Sequence, residues 1–147
     1  MLEYAVKAAT AWFLGFFPLF EIYVAVPAAI AMGLDYTSAV FWTVLGNFLP
    51  VPLIVFFYGQ LLRQRRIGPW LQGLASPRAQ GLLDRHGPWF ILLATPWIGV
   101  WAVAVTAMAL GMNQRQLLLF TLISISVYAI ALAGLIAFGI QAVRPQS

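Results

Sequence analysis

The chain has no cysteine, one histidine and only four acidic residues in 147. Without cysteine there is no disulfide and no thiolate metal site. The lone imidazole, His86, sits between Arg85 and Gly87 at the edge of an apolar segment and reads as an interfacial residue. One histidine cannot build a histidine-only metal site or a bis-histidine haem. With no cluster of acids beside it, metal-assisted or histidine-based catalysis has too few groups. The expectation is no metal, no cofactor and no enzyme. Charge is scarce as well: 8% of residues are charged, against about 25% in soluble domains. With 63% hydrophobic residues and a mean hydropathy of +0.90, the chain cannot cover its own surface with polar groups. Lipid must be the solvent for much of it.

What is present is a series of apolar runs broken by proline. The first, from about Tyr4 to Leu34, contains Pro18-Leu19-Phe20-Glu21-Ile22-Tyr23-Val24-Ala25-Val26-Pro27. About 20 apolar residues cross a bilayer, yet prolines remove backbone donors and interrupt helices. Pro18, Pro27, Pro50 and Pro96 are the expected helix breaks. Tyr4 to Phe17 covers about 21 Å as a helix and Ile22 to Gly33 about 18 Å, each too short to span alone. Between them sits Glu21, the one acid deep in an apolar segment. A broken helix with a carboxylate at membrane depth is how transport and ion sites are commonly built. The plainer alternative is a kinked span whose Glu bonds to a neighbouring helix.

Ser38 to Tyr58 is long enough to span and is bent by Gly46-Asn47, Pro50 and Pro52; Asn47 is expected to face protein. Gly33-Leu34-Asp35-Tyr36 reads as a turn, with Thr37 or Ser38 available to cap the following helix. Arg63, Arg65, Arg66, Arg78 and Arg85 gather between about 60 and 85 against one acid, Asp84, and the positive-inside rule puts this loop in the cytoplasm. A second set of apolar segments follows: Gly87 to Thr95, a break at Pro96-Trp97-Ile98-Gly99, Val100 to Gly111, a polar turn at Met112-Asn113-Gln114-Arg115, and a long run from Gln116 to Gln141. The N-terminus lacks the basic region of a signal peptide and is expected to be retained.

The two sets match at an offset of 78 residues. Pro18 pairs with Pro96, Ala29-Ile30-Ala31-Met32-Gly33-Leu34 with Ala107-Met108-Ala109-Leu110-Gly111-Met112, Asp35 with Asn113, and Thr43 with Thr121. The expected architecture is a single all-α integral membrane domain of two repeats, about 4–59 and 86–141, joined by the Arg-rich loop. If each short pair is a re-entrant hairpin, each repeat crosses the membrane once. The repeats are then inverted, with both hairpin tips near the midplane. If each pair is one broken span, the repeats are parallel. The re-entrant reading is preferred, because irregular backbone at membrane depth is tolerated only inside protein or against a water-filled cavity. Ala29, Gly33, Ala107 and Gly111 are expected to pack helices closely, as small residues do in membranes.

Glu21, Tyr23, Asn47, Trp97 and Trp101 are the candidate substrate- or proton-binding residues. A carboxylate near aromatic rings suits a lipophilic cation through charge pairing and cation–π contact. Lipid-interface anchoring is the better reading for Trp12, Trp42, Trp70 and Trp89, and an equal alternative for Trp97 and Trp101.

The segment Pro18 to Pro27, with Leu45-Gly46-Asn47-Phe48-Leu49-Pro50-Val51-Pro52 and Pro96-Trp97-Ile98-Gly99-Val100-Trp101, resembles the small multidrug export protein family, itself similar to the DedA group of bacterial membrane proteins. The resemblance implies motif positions at Glu21, Pro27, Gly46, Asn47, Pro50 and Pro96. It implies an exporter in the bacterial inner membrane, proton-coupled; with the carboxylate and its aromatic neighbours, the expected substrate is a lipophilic cationic or amphipathic molecule. Its alternative is a DedA-like flippase for a lipid-linked phosphate. The family commonly carries Glu-x-Arg after the first proline; here Tyr23 replaces the Arg, and no Arg or Lys lies between Ala94 and Met112. A buried phosphate needs a cation, so this departure weakens the flippase reading. A non-transporting assembly subunit is the third alternative. The expected partners are membrane lipid, a small-molecule or lipid substrate and, optionally, a second copy as a homodimer; nothing specifies nucleic acid.

Overall fold

A computed structural model of the chain describes residues 1–66, 69, 81 and 85–143. Most of the Arg-rich loop, with Arg78 and Trp70, and the tail from 144 lie outside the described residues. Among the described residues the elements are helical: α1 (Leu2–Phe16), α2 (Glu21–Ala31), α3 (Tyr36–Phe48), α4 (Pro50–Arg63), α5 (Trp89–Ile98), α6 (Val100–Ala109) and α7 (Gln114–Val143). α3 and α4 together form a run of 28 residues, Tyr36–Arg63, and Gln114–Ile140 forms one of 27; both are long and apolar enough to cross a membrane. Only about a third of each is buried, 33% and 28%, whereas the core helix of a soluble protein would be mostly covered. Their outward side chains include Phe56 at 79% exposure and Phe138 at 73%, a surface that suits lipid and not water.

The chain forms two compact units, Met1–Asn47 with Ile125–Ser147, and Phe48–Ser124. In the first, α1 opens with Glu3 in its first turn, paired to Lys7 at 2.6 Å. The acid complements the positive helix start and the pair has the favourable i, i+4 order. α1 ends where Phe17 turns extended, at φ −76° and ψ 128°, as a residue before proline must. α2 returns along α1, and Ala11, Ala29, Leu34 and Ala39 make a small-residue core against which Ile30 and Trp42 pack. α3 runs parallel to α1. At one end the Tyr4 hydroxyl donates to Ser38 Oγ at 3.1 Å and accepts from Trp42 Nε1 at 3.1 Å. At the other end the two backbones touch: a methyl on Gly46 would collide with the Trp12 carbonyl, and one on Gly15 with the Thr43 carbonyl.

In the second unit α6 lies against both α4 and α5. Val51, Ile54, Ile91, Val100, Val103 and Ala104 are buried. α5 runs parallel to the start of α7, with the Trp89 and Phe120 rings edge-on at 5.6 Å. The helix of α5 does not stop at Pro96 as expected; it continues to Ile98. Proline there leaves the Leu92 carbonyl without its usual amide, and the Ser124 hydroxyl donates to that carbonyl at 3.2 Å. Pro27 likewise lies inside α2 rather than ending it. Pro18 and Pro50 stand at breaks, Pro18 in the turn after α1 and Pro50 at the first position of α4.

Local details recur 78 residues apart. Leu34 N donates to Ala29 O at 3.1 Å and Met112 N to Ala107 O at 3.0 Å; Gly33 N donates to Ile30 O at 2.9 Å and Gly111 N to Met108 O at 3.0 Å. Both glycines are left-handed, φ +85° and +74°, as a residue closing a helix in this way requires. Each is followed by a capping side chain. Asp35 Oδ1 accepts from Ser38 N at 2.9 Å, and Asn113 Oδ1 from Arg115 N at 2.9 Å and Gln116 N at 3.4 Å. The cap of α3 is thus Asp35, not Thr37 or Ser38.

Candidate functional site

Four residues, Phe17 to Phe20, turn the chain from α1 into α2. The amides of Phe20 and Glu21 both reach back to the Phe17 carbonyl, at 3.1 and 3.3 Å. To enter α2 from so short a turn, Glu21 takes φ +44°, the one left-handed non-glycine residue among those described. Its side chain is half-buried. Gly99, 78 residues later, begins α6 with φ +90°.

Asn47 lies in the same unit, beside the end of α1. Its backbone nitrogen is 3.2 Å from the position a methyl on Gly15 would take, and Phe16 N is 3.1 Å from that of Gly46. The side chain is 1% exposed, and its Oδ1 has no hydrogen-bond partner. The turn that presents Glu21 and the buried amide of Asn47 therefore flank one helix end. Partial negative charge gathers there from the α1 carbonyls.

The other candidates fall differently. Tyr23 is exposed at 45%, one turn into the same unit. Trp97, 87% exposed, and Trp101, half-buried, belong to the second unit. Ala29 and Ala107 are buried. Gly33 and Gly111 are exposed, with only Lys7 Nζ, at 3.5 Å, near the first and nothing near the second; what they supply is backbone conformation at a helix end. Close helix approach belongs instead to Gly15 and Gly46. The signal available for them was a glycine in each of two apolar helices, with nothing to pair the two. Thr121, whose Oγ1 is buried without a partner, was noted in sequence only as the counterpart of Thr43, and that hydroxyl is satisfied by the Ala39 carbonyl at 2.7 Å. Among the described residues no group of three His, Asp or Glu is placed to hold a metal.

A family model described as "Putative small multi-drug export protein" matches residues 21–136. The chain belongs to this family. No curated protein and no solved structure matches it. Family membership and two helices able to cross a bilayer make this a membrane protein. The matched stretch starts at Glu21 itself and takes in Asn47 and Gly99.

Proposed function

We propose that this protein is a small secondary exporter, not an enzyme, in which the Glu21 carboxylate binds a lipophilic cation and exchanges it for protons. The backbone of Glu21 carries the reading. A non-glycine residue held left-handed costs about 1–3 kcal/mol, and such strain clusters at functional sites. Gly99 also has a positive φ, +90°, and carries no side chain there. A titratable group held at that strain, in an apolar segment where ionisable residues are themselves unfavourable, supports a functional role for the carboxylate. The exposed ring of Tyr23 adds a cation–π surface nearby.

The hairpin geometry supports a re-entrant reading. α1 has 15 residues, about 22 Å of helix, less than the roughly 30 Å of a bilayer core. Its end meets α3 at Asn47, about 17 Å along a 28-residue run that is about 42 Å long. The tip bearing Glu21 thus belongs near the midplane. The recurring caps and closing bonds support two copies of one motif. The exposed Arg63, Arg65 and Arg66 then belong on the cytoplasmic side of a bacterial inner membrane.

In proteoliposomes, Glu21→Gln is expected to abolish pH-driven transport of a cationic dye while melting temperature is held. Wild-type transport in the Gln variant removes Glu21 from the mechanism and favours an assembly subunit. Cysteines placed singly at Asp35 and Asn113, in a chain with no native thiol, are expected to label from opposite faces of the membrane. Labelling of both from one face overturns the inverted arrangement.

A further inference from the structure

The buried, unpaired Oδ1 of Asn47 stands out because membrane interiors offer no water to satisfy it. An acceptor left bare at this depth is costly, and each such group in a folded protein calls for an explanation. Its surroundings hold more acceptors. The Gly46 carbonyl lacks the amide that would serve it in an unbroken helix, since residue 50 is proline. The α1 end beside it carries the negative pole of that helix. Glu21 follows four residues after Phe17, the residue that ends α1 and whose carbonyl its amide binds at 3.3 Å. The one basic residue described on α1–α3, Lys7, lies near the opposite end of α1, against Glu3 and Gly33. This end of the hairpin therefore carries the Glu21 carboxylate and the bare Asn47 acceptor, with no basic side chain from α1, α2 or α3.

We infer that Asn47 Oδ1 accepts a hydrogen bond from the N–H of a protonated amine whose charge is paired by Glu21. The substrate class is then protonated primary, secondary or tertiary amines with an apolar body, in preference to quaternary ammonium ions. A quaternary nitrogen satisfies the carboxylate by charge but leaves Asn47 unpaired. A site with a buried polar group aimed at a donor discriminates strongly against an analogue lacking it. The inference rests on the exporter reading above.

The test is equilibrium binding to the full chain in detergent of a matched pair, a lipophilic tertiary amine protonated at the assay pH and its N-methylated quaternary counterpart. Binding avoids the passive diffusion of neutral amine that would confuse a flux assay. Wild type is expected to bind the amine tighter by on the order of tenfold, the worth of one hydrogen bond to a charged group. Asn47→Leu, close in size and without an acceptor, is expected to bring the amine down to the quaternary level with melting temperature held or raised. Glu21→Gln is expected to weaken both ligands. Equal affinities in wild type overturn the inference, as when a water occupies Asn47, and so does a preference that survives in Asn47→Leu. If the Leu variant does not fold, the wild-type ratio and Asn47→Ala decide. If the pair discriminates equally well in Asn47→Ala, the inference fails while loss of binding in Glu21→Gln leaves the exporter reading standing. Absence of binding by either ligand to wild type removes both.

Discussion

Two helix starts, 78 residues apart, both carry a positive φ and fill it with opposite residue types. α6 begins after Gly99 at φ +90° and ψ 150°, a region essentially reserved for glycine. α2 begins at Glu21 with φ +44°, where a side chain is tolerated but disfavoured. In the second case the chain gains a carboxylate and loses conformational ease; in the first it keeps the ease and has nothing to titrate. On the exporter reading proposed above, that difference puts the titrating group in the first half and none at the matching position of the second.

Exchanging the two residue types gives the largest effects. Glu21→Gly is expected to remove transport altogether while stabilising the fold by about 1 kcal/mol, the left-handed strain relieved. Gly99→Ala is expected to destabilise by about 1–3 kcal/mol and to change transport mainly through the amount of folded protein. Thermal melts beside transport rates separate the two. A Glu21→Gly protein that melts lower than wild type would show that the carboxylate holds the fold, and the comparison would collapse.

The approach to each start differs too. Pro18 precedes its break, whereas Pro96 is carried inside α5 with Leu92 O served by Ser124. Ser124→Ala leaves that carbonyl unserved and is expected to cost about 1 kcal/mol. Denaturant melts of the single variant and of Ser124→Ala with Pro96→Ala check it: restoring the amide should return most of the loss.

The smallest effect separates the two caps. The Ser38 hydroxyl and amide hold the Asp35 carboxyl below its usual range. A carboxyl with a depressed folded pKa contributes stability that is present above the unfolded value and disappears as pH falls through the folded one. The start of α3 should therefore weaken slightly in that acid window, and the start of α7, capped by neutral Asn113, should not. Asp35→Asn is expected to flatten this part of the stability–pH curve. Identical curves for wild type and variant would mean that the exposed cap carries no measurable linkage.

Much of this was legible in the chain itself. Runs of apolar residues located the helices, Pro18 and Pro50 marked real breaks, and the lone deep acid falls at the start of α2. Pro96 misled because its rescue comes from a hydroxyl 32 positions away, and no local pattern announces a distant donor. Gly33 and Gly111 resemble packing residues because four-residue spacing of small side chains and the glycine that closes a helix look alike in sequence. The polar residue two places later, Asp35 or Asn113, was the mark of the closing role. The strain at Glu21 and the bare oxygen of Asn47 were invisible, since both depend on where the turn and the crossing place the backbone.

The glycine crossing of α1 and α3 has a mechanical consequence. With carbonyls of Trp12 and Thr43 seated against Gly46 and Gly15, the contact has no side chains to flex or interleave anew. Sliding one helix by a residue would drive a Cβ into a carbonyl, so the pair moves as a single lever. Any displacement of Glu21 relative to α1 must then be absorbed in the four residues from Phe17 to Phe20. That short turn is the compliant joint between a stiff arm and the carboxylate it carries.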